Sequence, residues 1–140
     1  MKILLAVDGS AYTKRMLAYI AAHDELFGTA HEYTAITVVP PIPPHATGFL
    51  SRDVIDAYYQ EQAEAVLEPV RAFAKQAGWT LLTRHAVGSA GDAVAELANT
   101  GKFDLVVMGT HGHSSLVGVV LGSVTTRTIA QCQQPVLLVR

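Results

Sequence analysis

Short apolar runs alternate with amphipathic segments along the chain, and the two kinds of segment predict strands and helices in turn. Helical spacing of apolar residues predicts helices over about 11–27 and 52–77, one from Ser89 or Asp92 to Gly101, and one over about 123–131. Runs with little polar alternation are typical of strands buried on both faces of a parallel sheet, so an α/β fold is predicted. The predicted strands are Lys2 to Val7, His31 to Val39, Trp79 to Val87, Phe103 to Met108 and Pro135 to Val139.

Turn and capping residues mark the predicted ends of these elements. Four prolines in the five residues from position 40 fix φ and remove hydrogen-bond donors, so a long loop is expected over 40–50. Pro69 is expected to kink or bend the second helix. The candidate N-caps are Ser10 and Ser51, and the glycines that suit helix C-termini are Gly28 and Gly78.

Composition favours one folded domain over residues 1–140. Half of the 140 residues are hydrophobic and 16% are charged, which argues against disorder, and a net charge of −2 gives no electrostatic reason to expect nucleic-acid binding. Every apolar run is too short for a membrane span, and MKILLAVDGS is interpreted as a strand rather than a signal peptide. A single cysteine, Cys132, excludes an internal disulfide and weakly favours a cytoplasmic location.

The segment from Asp104 to Thr128 carries the strongest chemical signal. An apolar strand ends at Gly109, Gly112 follows, and nine residues later Gly122 and Ser123 precede a segment of helical pattern. Glycine permits unusual backbone conformations and close approach to a ligand. The first N–H groups of a helix lack internal partners and lie at the positive end of the helix dipole, so such a loop suits a phosphate.

This spacing, G-2x-G-9x-G-S, resembles the nucleotide-binding signature of the universal stress protein family. The resemblance covers the whole chain, from the first strand and Asp8 to the closing PVLLV. It implies a three-layer α/β/α, Rossmann-like fold with a five-stranded parallel sheet of order 3-2-1-4-5. In that order, successive strands are added on one side of strand 1 and then on the other, so the switch point lies between strands 1 and 4. Asp8 and Gly109, at the carboxyl ends of these strands, are therefore expected to converge on one crevice. Some family members lack the motif and do not bind ATP, and the intact motif places this chain in the ATP-binding branch.

The resemblance also implies which residues bind the nucleotide. An acid at Asp8 would face it, backbone groups at the end of strand 2 would meet the adenine edge, with Val38 preferred, and Ser123 and Thr125 would add hydroxyls near the phosphates. Mg²⁺, if it accompanies ATP, would fall to Asp8, and AMP or a cyclic nucleotide stays open as the ligand. The expected site residues are Ala6, Val7, Asp8, Val38, Val39, Met108, Gly109, His111, Gly112, Gly122, Ser123, Val124 and Thr125.

Several of these residues also have a purely structural interpretation. Asp8 suits a turn or a helix cap, and the glycine loop could serve only to begin a helix. His111 and His113 form an H-x-H pair, but no third ligand lies nearby in sequence, so a zinc site is not expected. Arg127, one turn into the last helix, either neutralises phosphate or faces water.

Together these features predict an ATP-binding, regulatory stress protein that senses adenine nucleotide. Family resemblance implies a homodimer through the edge strand Pro135 to Val139, paired antiparallel across a two-fold axis. Two alternatives remain: a slow ATPase or nucleotide hydrolase with Asp8 holding a metal, and a ligand-free dimeric interaction protein. Fast turnover is not expected because no GxxxxGK[ST] motif is present. The signal, the protein partners and the role of the 40–50 loop are left open.

Overall fold

Five parallel strands, numbered along the chain, form one sheet in the order 3-2-1-4-5. The computed structural model describes residues 1–114 and 117–140. The fold class and the strand order expected from the sequence are thus confirmed. The strands are β1 (Lys2–Ala6), β2 (Glu32–Val39), β3 (Thr80–Val87), β4 (Leu105–Gly109) and β5 (Val136–Val139). The helices are α1 (Ala11–Ala22), α2 (Asp24–Phe27), α3 (Pro44–Thr47), α4 (Arg52–Ala77), α5 (Ala90–Thr100) and α6 (Ser123–Gln131).

Strand β1 lies at the centre of the sheet and is buried on both faces. Ile3 and Leu5 pack into one core cluster, which includes residues of α1 and α4. Leu4 points to the opposite face and packs into a second cluster with Val94 of α5 and Val106 of β4. Alternate residues of a strand face opposite sides of its sheet, so a continuous apolar run is what a strand between two helical layers requires.

Most of the predicted element boundaries agree with the structure, and the caps explain why. The hydroxyl of Ser51 accepts a hydrogen bond from the backbone N–H of Val54 at the start of α4. Gly78 ends that helix at φ 72°, in the left-handed region that favours glycine. Pro69 lies inside α4, which is a single helix from end to end.

Two helical predictions were wrong in detail. The single helix expected over 11–27 is divided at His23, whose φ of −116° and ψ of 56° are not helical. Asp24 and Glu25 then occupy the first turn of α2, where acidic residues are favourable. Within the expected loop over 40–50, Pro44 begins the short helix α3, because the fixed φ of proline suits the first position of a helix.

The remaining features of the fold are the two edges of its sheet and the hydropathy of its helices. Strands β3 and β5 form the two edges, as predicted. Over residues 1–114 and 117–140, no helix combines the length and the apolar character needed to cross a membrane.

Candidate functional site

A cleft with a volume of about 410 Å³ opens at the carboxyl ends of β1, β2 and β4. This is the position where the strand order reverses, and its volume lies in the range typical of small-molecule pockets, roughly 300–1,000 Å³. All thirteen residues that the sequence singled out line this one cleft: Ala6, Val7, Asp8, Val38, Val39, Met108, Gly109, His111, Gly112, Gly122, Ser123, Val124 and Thr125.

The backbone of Val38 presents a donor and an acceptor to the cleft. The Ile36 carbonyl accepts from Val7 N–H on the β1 side, whereas the Val39 carbonyl accepts from Gly88 N–H on the β3 side. Because backbone groups of alternate strand residues point to opposite neighbours, the N–H and C=O of Val38 point to the β1 side. Strand β1 has already ended at Ala6, so no strand of the described chain pairs with these groups there.

Helix α6 begins at the cleft with its N-terminus toward it. Gly122 is the N-cap residue, and Ser123 and Val124 are the first two helical residues, all three in the cleft lining. The N–H groups of the first helical turn, from Ser123 to Thr125, find no backbone acceptor among the described residues. Three outward N–H groups and the positive end of the helix dipole make this end of the cleft suited to an anion.

Each of the three motif glycines lies close to another part of the protein. A Cβ at Gly109 would lie 2.7 Å from the Cβ of Tyr12, and one at Gly112 would lie 2.5 Å from the Oδ2 of Asp8. A Cβ at Gly122 would lie 3.2 Å from the Cα of His111. None of the three has positive φ, so their role is close approach and not an unusual backbone conformation.

Asp8 combines the two interpretations that its sequence position allowed. Its Oδ1 accepts hydrogen bonds from the backbone N–H of Ser10 at 2.9 Å and from the Thr13 hydroxyl at 2.9 Å, so it organises the start of α1. The Asp8 side chain also lines the cleft and packs against Gly112. The Ser10 hydroxyl, expected to cap α1, is buried and makes no such bond.

Two other side chains are engaged by the protein in ways the sequence did not predict. The Thr125 hydroxyl, expected to add to the phosphate contacts, bonds the carbonyls of Gly109 at 3.0 Å and Thr110 at 3.3 Å, and so fastens α6 to the end of β4. The Nε2–H of His111 donates to the Val119 carbonyl at 2.8 Å, and its Nδ1 accepts from the Thr110 hydroxyl at 3.0 Å. Both imidazole nitrogens are therefore occupied.

The two imidazoles of the H-x-H pair bond separate backbone carbonyls, that of Val119 for His111 and that of Asp8 for His113. The Nε2 of His113 lies 2.6 Å from the carbonyl oxygen of Asp8, so it donates a hydrogen bond across the mouth of the cleft. Over the two described stretches, no group of three or more His, Cys, Asp or Glu side chains is arranged to hold a metal ion. His113 thus ties the glycine loop to the end of β1.

Arg127 neither points to the cleft nor faces water alone. Its guanidinium makes a two-point ion pair with Asp92 of α5, with Nε–Oδ1 2.6 Å and Nη2–Oδ2 3.0 Å. Hydrogen bonds from Arg127 and then from Gln131 lower the pKa of Asp92 to about 2. Asp92 in turn raises the pKa of Arg127.

Sequence reasoning missed the part of the lining that comes from α4 and α5. Gln62 and Val66, four residues apart on α4, share one helical face and reach the cleft, as do Ala90 and Val94 on α5. That spacing was visible in the sequence, but only the tertiary packing tells which helical face overlies the carboxyl ends of the strands. The remaining lining residues outside the predicted set are Thr13, Ile36, Thr37, Pro40, His113 and Ser114.

Comparison with known proteins identifies similar chains over the full length. A sequence model of the universal stress protein family matches residues 1–140. A universal stress protein of Methanocaldococcus jannaschii is 29% identical over 140 residues, which is 99% of this chain and 81% of that protein.

Solved structures are similar to this chain over its whole length as well. The universal stress protein UspA of Lactobacillus plantarum superposes with a TM-score of 0.81 at 21% identity, covering 100% of this chain and 97% of that chain. A universal stress protein solved in complex with cAMP superposes with a TM-score of 0.67 at 26% identity, covering 100% of this chain and 96% of that chain.

Proposed function

Because this chain belongs to the universal stress protein family, we propose that it binds an adenine nucleotide, ATP in the first instance, in the cleft at the carboxyl ends of β1, β2 and β4. One observation carries the proposal. The backbone groups of Val38 at the end of β2, which have no partner in the described chain, and the N-terminus of α6, which Thr125 holds to the end of β4, line this cleft on either side of the β1 end, and strands β2 and β4 are about 10 Å apart. A nucleoside spans such a separation, and the relative solved with cAMP holds an adenine nucleotide.

Backbone groups at Val38 favour adenine over guanine. The N–H can donate to N1 of adenine, and the C=O can accept from the exocyclic N6 amine. Guanine carries the opposite pattern on the same edge, a donor at N1 and an acceptor at O6. With guanine bound, the N–H of Val38 would face the N1–H of the base, and the C=O of Val38 would face O6. Neither pair can form a hydrogen bond, and buried polar groups without a partner are costly.

The phosphates would lie at the N-terminus of α6. Backbone N–H groups from Ser123 onward can donate to phosphate oxygens, and the hydroxyls of Ser123 and Ser114 lie in the same lining. Within the described stretches the lining holds one carboxylate, Asp8, and no Lys or Arg. We therefore expect Mg²⁺ to accompany ATP and to balance its charge beside Asp8.

A regulatory role fits this chemistry better than rapid phosphoryl transfer. Phosphoryl transfer needs cations on the transferring group in its transition state. In the described part of the lining, only Mg²⁺ would supply such a charge. We propose that the bound nucleotide acts as a signal that changes the shape or the partners of the protein.

We also propose a homodimer through β5. The Pro135 and Val139 carbonyls accept hydrogen bonds from Val106 and Thr110, so both point to β4. By alternation, the N–H and C=O of Val136 and Leu138 point away from the sheet, and no strand pairs with them in the described chain. An apolar edge of this kind can pair with the same edge of a second copy.

Isothermal titration with Mg·ATP and with Mg·GTP tests the nucleotide proposal. We expect ATP to bind with a Kd in the micromolar range or tighter, and GTP to bind at least about tenfold more weakly, because the Val38 pattern is reversed for guanine. Absence of ATP binding would overturn the proposed function. Equal affinity for the two nucleotides would keep a nucleotide site but contradict the contact with Val38.

A further inference from the structure

The ion pair between Asp92 and Arg127 joins the two helices that form one wall of the cleft. Asp92 is the third residue of α5, and Arg127 lies in the middle of α6. Besides the two bonds from Arg127, the Oδ1 of Asp92 accepts a third from Gln131 Nε2 at 2.6 Å, one turn further along α6. One carboxylate thus contacts two successive turns of α6.

A glycine beneath this pair fixes how closely the helices approach. A Cβ at Gly91 would lie 2.7 Å from the Cβ of Arg127 and 3.0 Å from its Cγ. The aliphatic stem of Arg127 therefore rests directly on the backbone of α5, and its guanidinium reaches the adjacent Asp92. The contact of the Arg127 stem with Gly91 and the ion pair with Asp92 together define the lateral position of α6.

Both helices present residues to the cleft close to this contact. Ala90 of α5 lies two residues before Asp92, and Ser123 of α6 lies four residues, or about one turn, before Arg127. The same end of α6 is also held to the end of β4, where the Thr125 hydroxyl bonds the carbonyls of Gly109 and Thr110 and the Gly122 N–H donates to the Thr110 carbonyl at 2.8 Å. Asp92 supplies the fastening on the α5 side.

We propose that Asp92 is a positioning residue for phosphate: by pairing with Arg127 it holds the first turn of α6 where its backbone N–H groups meet the nucleotide. This inference rests on the proposed function of the cleft. Donors fixed by neighbouring contacts need no rearrangement when the anion binds, so loss of the pair weakens the phosphate contacts and leaves the adenine contacts at Val38 in place.

Ionisation keeps this contact intact over the physiological range. Hydrogen bonds from Arg127, and secondarily from Gln131, favour the carboxylate and lower the pKa of Asp92 to about 2. For a group with a lowered pKa, the stabilisation is complete above its ordinary value of 3.8 and is lost only as the pH falls toward 2. The carboxylate of Asp92 is therefore ionised at neutral pH, and the ion pair with Arg127 is kept there.

The test compares Asp92→Asn with Glu64→Gln, because the structure offers a matched control. Glu64 forms the other ion pair of the described chain, with Arg71, on α4 and outside the cleft lining. Each substitution removes one carboxylate charge with little change in shape. Affinities for Mg·ATP, AMP and adenosine are measured by titration for both variants and the wild type, alongside thermal unfolding.

We expect Asp92→Asn to weaken ATP and AMP by about tenfold and adenosine by less than about twofold, with Glu64→Gln near wild type for all three ligands. An equal loss for adenosine and ATP would mean a general distortion and would overturn the inference, as would an unchanged ATP affinity. If Asp92→Asn does not fold, Arg127→Lys serves instead, because it keeps the charge and the stem but not the two-point pair. A wild type that binds no nucleotide would refute the proposed function itself, which is a separate outcome.

Discussion

Replacing Ser123 with aspartate tests the phosphate end of the cleft with two readouts that move in opposite directions. Ser123 is the first residue of α6, is exposed, and lines the cleft. A substitution at Gly122 would be a poorer test, because a Cβ there presses on the backbone of His111 and Thr110 even without ligand. An acidic side chain at a helix N-terminus stabilises the helix, whereas the same charge beside a phosphate repels it.

The size of both effects follows from the position of the new charge. The interaction with the helix dipole should raise the free energy of unfolding by about 0.3–1 kcal/mol. If a phosphate oxygen lies about 5 Å from the new carboxylate, Coulomb's law gives a repulsion of about 1 kcal/mol in water and about 3 kcal/mol at an effective dielectric constant of 20. ATP affinity should therefore fall by roughly five- to 150-fold, and adenosine affinity should change little.

The assay is titration calorimetry with Mg·ATP at low and at moderate salt, together with urea unfolding of the free protein. Screening should shrink the loss of affinity as salt rises. The control is Ala11→Asp, which places the same charge at the first position of α1, outside the described cleft lining. If Ser123→Asp binds ATP as well as the wild type does, or if Ala11→Asp loses as much, phosphate does not bind at α6 and the reasoning fails.

Three further changes probe other parts of the structure. Leu138→Pro removes an N–H that points away from the sheet and should convert a dimer to a folded monomer in light scattering. As a contrast, Leu137→Pro removes an N–H that pairs with β4 and should unfold the edge of the sheet. A dimer that survives Leu138→Pro would exclude pairing through β5. Tyr33→Phe removes the hydroxyl bonds to the carbonyls of Phe27 and Gly28 and should lower the free energy of unfolding by about 1 kcal/mol at neutral pH. Burial, and secondarily Asp24, raise the pKa of Tyr33 to about 12, so wild-type stability should decline between pH 10 and 12, and an equal decline in the variant would contradict this cause. Gly109→Ala should lower unfolding free energy by about 1–3 kcal/mol in urea without any nucleotide, because the new Cβ meets Tyr12, and an unchanged midpoint would refute that contact.

Local pattern was enough to predict the strands because both faces of the sheet are covered. A strand such as β1, with Ile3 and Leu5 on one side and Leu4 on the other, must be apolar throughout, and that signal is visible without knowing its neighbours. The strand order came from the family resemblance and not from periodicity. The break at His23 was missed because it depends on the backbone conformation of one residue, which an apolar pattern that continues to Phe27 does not reveal.

The family resemblance predicted which positions line the cleft, but not how each side chain is used. Thr125, His111 and Arg127 are each polar and near the motif, and each makes its hydrogen bonds within the protein. The partner of Arg127 is Asp92, thirty-five residues earlier in the chain. Nothing local links those two positions, because the contact exists only once α5 and α6 pack side by side on the sheet.

The motif glycines bear most directly on what the signature means. Tyr12, Asp8 and the backbone of His111 occupy the space that a Cβ would fill at Gly109, Gly112 and Gly122. Gly109 would therefore be needed to build this loop whether or not a nucleotide binds, and Gly112 and Gly122 leave little room for a side chain. What the loop then leaves exposed is the N-terminus of α6, where backbone donors have no partner in the described chain. The signature thus predicts a loop shape first, and the shape produces the anion site because a helix that begins there cannot satisfy its own first N–H groups.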